Sequence, residues 1–332
     1  MTKKNLKLIL LFFISLILLE GCLKRDTTKK VVVYTSVDQL YSSKIFKDFE
    51  QKTGIQVLAV YDTEAAKAIG LEKRLLAEKA HPRADIFWNS EPIRTVRLAN
   101  KGLFKPFRSS SVPEYKDKCY FDPKKRWFGL GERMRVIIVN TSLLTLNEYP
   151  SSFDALWHRS FKGKIAISSP YVGTAATHFA ALHHKMGETK FVDLLHRIKQ
   201  SDTVLLAGNS VVKDAVGMGK FSLGIVDSDD ALAGIREGLP IKILYYDQND
   251  QGDFAIFGTV AMLKGAPHSE NAKYFMDYLL TKETERKMIK MGAVQSSVFK
   301  GGESPSIKSW TSDPNHLLPD LHQSYKLIKE IL

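Results

Sequence analysis

The chain has 332 residues, of which 44% are apolar and 25% charged, and its 48 lysines and arginines outnumber 36 acids to give a formal charge of +12. That apolar share excludes a disordered polymer and is ample for one large or two medium domains. The basic excess favours an anionic ligand or surface, yet the lysines are scattered, which argues against a nucleic-acid face.

Lys3, Lys4 and Lys7 precede an apolar run from Leu8 to Leu19 interrupted only by Ser15, and Leu19-Glu20-Gly21-Cys22 follows. A cationic start, a short apolar core and a small residue before a cleavage point describe an export signal over residues 1–21. The run is shorter than the roughly 20 residues a membrane-spanning helix needs. Cys22 after Leu-x-Gly resembles a bacterial lipoprotein box, which implies that its thiol is lipidated and becomes the new N-terminus. Glu20 departs from that pattern, since the slot usually holds a small neutral residue, and an uncleaved anchor is the alternative. Either way the body is expected outside the cytoplasm and tethered to a bacterial membrane, with residues 22–30 as lipidated cysteine and polar tether. The chain has two cysteines, so Cys119 is left with no intramolecular partner, and it has no CxxC or Cys/His spacing around it.

The body opens with the apolar run Val31 to Tyr34, of strand length, and then Tyr41, Ile45, Phe46 and Phe49 at helical spacing before a glycine stop at Gly54. Ile55 to Val60 predicts a second strand, Asp62-Thr63-Glu64 the start of a second helix, and Ala84 to Trp88 a third strand. The alternation restarts with strands at Val136 to Val139 and Lys164 to Ile167, helices at Thr177 to Lys185 and Thr189 to Lys199, and strands at Ser222 to Val226 and Thr259 to Leu263. Strand alternating with helix predicts an α/β protein built on helix-covered, mostly parallel sheets. Two such units imply two lobes with a cleft: residues 31–135 and 256–310 in lobe 1, 136–255 in lobe 2, and a helical tail over 311–332. In open α/β sheets ligands sit where strand ends lead into helix starts. That rule selects the loops at 35–38, 61–64, 89–91, 173–176, 208–210 and 227–230.

At these loops the chain resembles a type II periplasmic solute-binding protein, the receptor of an ABC importer, in the branch that contains ferric-iron-binding proteins. VVVYTSVDQLYSSKIFKDFEQKTGIQV resembles the family's opening strand, helix and strand; ADIFWNSEP its third strand and loop; GERMRVIIVNT the crossover. LAGNSVVKDAVGMGKFSLGIVDSDDA and GTVAMLKGAPHSENAKYFMDYLL complete the match, which runs in order over most of residues 31–290. The resemblance implies a two-lobed fold, a permease and ATPase as partners, a small bound solute instead of a resident cofactor, no enzymatic activity and a monomer. In ferric-binding relatives the first loop supplies a histidine where this chain has Asp38, and the third loop a glutamate that falls at Ser90 or Glu91. The adjacent tyrosines that provide the main iron ligands correspond to Asp229-Asp230. Asn209 matches an asparagine that holds the accompanying anion, Thr174 lies near a matching hydroxyl, and Arg133 and Arg135 match a crossover pair. Tyr245-Tyr246 falls about fifteen residues too late to replace the tyrosines.

Two chemistries follow. Asp38, Glu91, Asp229 and Asp230, with Asp227 beside them, suit a hard cation such as Fe3+ with a synergistic anion, or a solute's ammonium group. Alternatively Asp227 or Ser228 caps the helix near Ala231 and the other acids face solvent. Gly173-Thr174 and Gly208-Asn209-Ser210, together with Ser36, Thr63 and Arg133, suit an anion at helix starts, or simple caps. The solute is therefore expected to be ferric iron, or else an organophosphate, phosphonate, other small anion or a thiamine-like cation; a ligand-sensing lipoprotein is a different class of function. The chain has no G-x-S-x-G elbow, no H-E-x-x-H and no P-loop, so ATP hydrolysis falls to a partner.

Overall fold

A computed structural model describes residues 29–62 and 67–332; the export signal, Cys22, most of the tether and Thr63 lie outside the described residues. Val31 to Tyr34 form the centre of β1 (Lys30–Thr35), which pairs in parallel with β2 (Gln56–Tyr61) and β3 (Ile86–Asn89). Helix α1 (Gln39–Thr53) packs its face of Tyr41, Ile45, Phe46 and Phe49 inward, as the spacing predicts, and stops at Gly54, whose φ of 66° suits a residue without Cβ. Phe46 meets Trp88 edge-on at 5.7 Å between ring centroids, and Phe49 meets Phe275 at 5.0 Å. Burying each such ring contributes about 1.5–3 kcal/mol, which fixes the end of β3 against α1. Helix α2 (Ile69–Ala77) starts later than expected, while Asp62 accepts from the Leu71 amide at 3.1 Å. Helix α3 (Pro92–Asn100) follows β3 directly.

Two long strands then carry the chain between the lobes. β4 (Phe128–Asn140) is buried along all 13 residues, and β9 (Asp253–Met262) along all 10. The first half of β4 pairs antiparallel with β9, and the second half, from Arg135, pairs with β7 (Leu223–Asp227). The full order is β2-β1-β3-β9-β4-β7-β5-β6, with β5 (Ile165–Ser168) and β6 (Val204–Leu206) in the second lobe. β8 (Ile241–Leu244) pairs with β4, and β10 (Ser309–Trp310) with β9. The register of β4 slips between Leu130 and Glu132, where Gly131 has φ 59°, and a Cβ there would come within 2.6 Å of Val294. Only glycine fits that bulge.

The two helices predicted over 177–199 run end to end along α4 (Gly173–Gln200) and are separated at Gly187, whose φ of 76° and ψ of 165° are not helical. α5 (Asn209–Gly217) and α6 (Ser228–Arg236) follow β6 and β7; α7 (Ser269–Leu279) and α8 (Lys282–Met291) return to the first lobe's core. The terminal helix α9 (Pro314–Ile331) begins well before the SYKLIKEIL stretch. Its Leu317 and Leu321 pack with Ile93 of α3 and Ala176 and Ala180 of α4, while Leu327 and Ile328 join the second lobe's core. The result is a two-lobed α/β fold with three strand-to-helix junctions of the second lobe aimed at the first.

Candidate functional site

Asp38 stands at the end of β1 just before α1, and Asp229 and Asp230 occupy the first turn of α6 after β7. The two lobes bring these three acids together, one oxygen of each lying within 4.8 Å of the others. Asp229 is 2% exposed and Asp230 8%. Asp229 Oδ1 and Asp230 Oδ2 are buried without a hydrogen-bond partner among the described residues. Desolvation, opposed by Arg133 and reinforced by Asp227 and Asp38, pushes Asp229 up to about 7. Burial and the charges of Asp229 and Asp38 push Asp230 well above the usual carboxylate range. The alternative in which Asp229 and Asp230 face solvent is therefore corrected.

Lys67 Nζ lies 2.6 Å from Asp38 Oδ1. The Tyr41 hydroxyl donates to the Asp229 carbonyl at 3.0 Å, one turn into α1 from Asp38. Arg133 donates to the Ser90 carbonyl of its own lobe and stands 3.3 Å from both Asp227 and Asp229 of the other. Beside the acids, Asp229 borders a cavity of about 20 Å³ whose other walls are first-lobe residues, among them Val37, Tyr41, Trp88, Leu130, Met288 and Val294. That is room for about one water.

Asp227 behaves differently from its neighbours. It holds the N-cap position of α6, yet its side chain makes no cap bond. Instead Arg135 Nη1 donates to Asp227 Oδ1 at 2.8 Å and Thr174 Oγ1 to Oδ2 at 2.7 Å. Burial alone would raise this carboxyl, but the two guanidiniums outweigh it and hold Asp227 below the usual range. Asn209 joins the same network, accepting from Arg135 at 2.9 Å and donating to Thr174 at 3.1 Å. Ser228 does not cap either: its Oγ accepts from the Met134 amide and donates to Gln295. The capping alternative for Asp227 and Ser228 is corrected as well, because β4 presents stronger partners than the helix's own amides.

Glu91 also departs from expectation. It is fully buried at the start of α3, accepts from the Ile93 amide at 2.7 Å and from Thr177 Oγ1 at 2.8 Å, and is not part of the acid group. Ser36 is engaged inside the first lobe, donating to Asn89 at 2.6 Å. The Gly173 amide donates to the Lys67 carbonyl at 3.2 Å, so this helix start touches the opposite lobe's backbone. Tyr245 packs against the apolar cluster around Val226 and Ile241, and Tyr246 packs at 5.4 Å from Phe153 in the second lobe's core. Sequence reasoning misses Tyr41 and Lys67 as site residues. Tyr41 reads as one more apolar contact of α1, though its place three residues after Asp38 is a usable signal.

Residues 84–312 match the family described as bacterial extracellular solute-binding protein. The Fe(3+)-binding periplasmic protein of Serratia marcescens is 24% identical over 87% of this chain and 85% of its own length. A putative 2-aminoethylphosphonate-binding periplasmic protein of Salmonella typhimurium is 26% identical over 78% of this chain and 77% of its own. Among solved structures, iron-bound HitA of Pseudomonas aeruginosa superposes with a TM-score of 0.80 at 20% identity, covering 91% of this chain and 99% of that one.

Proposed function

The chain belongs to the bacterial extracellular solute-binding protein family, and we propose that it is the lipid-anchored receptor of an ABC importer, capturing ferric iron between its lobes and delivering it to a permease. One observation carries the cation reading: Asp38, Asp229 and Asp230 converge from two lobes, and two of their buried oxygens have no partner among the described residues. Such oxygens cost free energy unless a cation or protons occupy them, and hard cations prefer oxygen ligands. Several of this chain's relatives are named as iron-binding, the Serratia marcescens protein among them. In this chain aspartates take over from the adjacent tyrosines of the ferric-binding branch.

β4 and β9 are the hinge on which the lobes close. Closure brings Arg133 and Tyr41 of the first lobe to Asp229 of the second, so binding and closing share contacts. The receptor makes and breaks no covalent bond. Cys22 ties it to the membrane, the body faces the periplasm or cell exterior, and the permease and its ATPase are the partners. A gene neighbourhood with a histidine kinase in place of a permease would instead favour sensing.

A second reading keeps the acids but gives them an organic ammonium. Its support is Lys67, whose ammonium already fits against Asp38 at 2.6 Å, and the aminoethylphosphonate-named relative. Thermal unfolding of the purified protein against ferric citrate, 2-aminoethylphosphonate, hexose phosphates and thiamine separates the two. A ligand at about 100 times its dissociation constant adds roughly 2.7 kcal/mol. A shift with ferric citrate alone supports iron. A shift with aminoethylphosphonate or thiamine alone rejects iron and keeps the acids as an ammonium site.

A further inference from the structure

Resting on the cation reading, we infer that Asp227 is a built-in counter-anion that lets the receptor take its metal without a co-bound phosphate or carboxylate. The surroundings of Asp227 are those of an anion receptor. The starts of α4, α5 and α6 converge there, and Arg133 and Arg135 reach it from β4. Helix starts and planar guanidiniums are what hold a small oxyanion. The anion in this receptor is a side chain of the protein. Asp227 is 1% exposed, with Arg135 at 2.8 Å on one oxygen, and Thr174 at 2.7 Å and Arg133 at 3.3 Å on the other. Asn209 is turned into the same network through Arg135 and Thr174. Arg135 Nε is buried without a partner among the described residues.

A free anion entering here would have to expel Asp227 from both arginines. It would also sit against Asp229, whose carboxylate shares Arg133 with Asp227. Like charges at that range in a dry cleft repel strongly. Asp227 thus fills the anion's place, while Asp38, Asp229 and Asp230 are left for the cation. The substitution Asp227→Asn would keep the shape and remove the charge, turning the same donors outward to a free anion.

The test loads the full chain with iron as ferric nitrilotriacetate in the presence of excess phosphorus-32 phosphate, then desalts it and measures iron and label. A second loading uses carbon-14 nitrilotriacetate to follow the carboxylate route. The expected result is iron without stoichiometric phosphate or chelator in the wild type, with iron affinity changed less than about twofold by phosphate. Asp227→Asn is expected to carry about one anion per iron and to gain about tenfold in iron affinity with phosphate. One phosphate or chelator retained per iron in the wild type would overturn the inference while leaving the cation reading intact. A wild type that binds no iron defeats the cation reading itself. The melting temperature without metal then still decides: a phosphate response in the wild type overturns the built-in anion, and a response confined to Asp227→Asn upholds it. If Asp227→Asn does not fold, the wild-type label count and the wild-type phosphate response decide alone.

Discussion

The starts of α3 and α6 are built alike and behave oppositely. Each follows a buried strand of the sheet, each carries buried acids in a helix's first turn or cap, and each faces the other lobe. At α3 every demand of Glu91 is met, by the Ile93 and Arg94 amides, by Asn89 and by Thr177. At α6, Asp229 and Asp230 keep oxygens that none of the described residues satisfies. A buried carboxylate with a full set of donors is part of the scaffold; open oxygens such as those at α6 are what the proposed cation site requires. Position in the fold does not separate them, and partners do.

The largest expected effect removes the open pair. Asp229→Ala with Asp230→Ala should abolish the ferric-induced thermal shift, lowering affinity at least about hundredfold. The unliganded protein should melt no lower than wild type at neutral pH, because two buried oxygens without partners are gone and Arg133 keeps Asp227 and the Ser90 carbonyl. A large drop in its melting temperature would show that these acids serve the scaffold after all. The matching change at the other junction is Glu91→Ala, which should cost about 3 kcal/mol of stability by stranding buried donors and Arg94. Ferric affinity of the folded fraction should stay within a fewfold of wild type. An Asp-like loss of binding with little loss of stability would erase the contrast.

The amino-acid sequence reveals where the two junctions lie and hides what separates them. Strand-end loops are legible because buried parallel strands announce themselves as short apolar runs, and those loops contain Asp38, Asp229 and Asp230. The same rule selects Glu91, and nothing in its neighbourhood reveals that Thr177, 86 residues away in sequence, occupies it. β4 is legible only from Val136 onward. Its first half, with two glycines, Glu132 and Arg133, does not read as a strand, and only the bulge against Val294 explains those residues. Lys67 and Tyr41 act through tertiary contacts that local periodicity does not encode. The long reach of α9 from one lobe to the other is hidden for the same reason, since Pro314 opens the helix without any apolar run before it.

Protons give a smaller and graded test of the same contrast. Asp229 is raised to about 7 and Asp230 is raised as well, so both retain protons in the folded chain over a range where unfolded carboxylates have lost them. Native protein then binds more protons than unfolded, and their contribution to unliganded stability falls as pH rises from about 4 to 7. A metal must displace these protons. Ferric affinity should therefore climb with pH over the same window, by about tenfold per unit for each proton released, and calorimetry in buffers of different ionisation heat would count them. Zero protons released near pH 6 would place the cation elsewhere than on Asp229.

The smallest effect concerns closure. Tyr41 reaches across the cleft to the Asp229 carbonyl, and burial with the two acids raises its phenol above its ordinary value, so it donates as a neutral hydroxyl. Tyr41→Phe removes that one donor and keeps the ring against its core neighbours. A neutral hydrogen bond of this kind contributes about 1 kcal/mol, so the variant should bind iron roughly fivefold more weakly with the same pH slope. The weakening should sit in faster release, because the bond holds the closed state and does not touch the ion. Stopped-flow chase of bound iron with an external chelator reads that rate directly. A fivefold loss that appeared instead in the pH slope would mean that Tyr41 sets the ionisation of Asp229 and not the grip between the lobes.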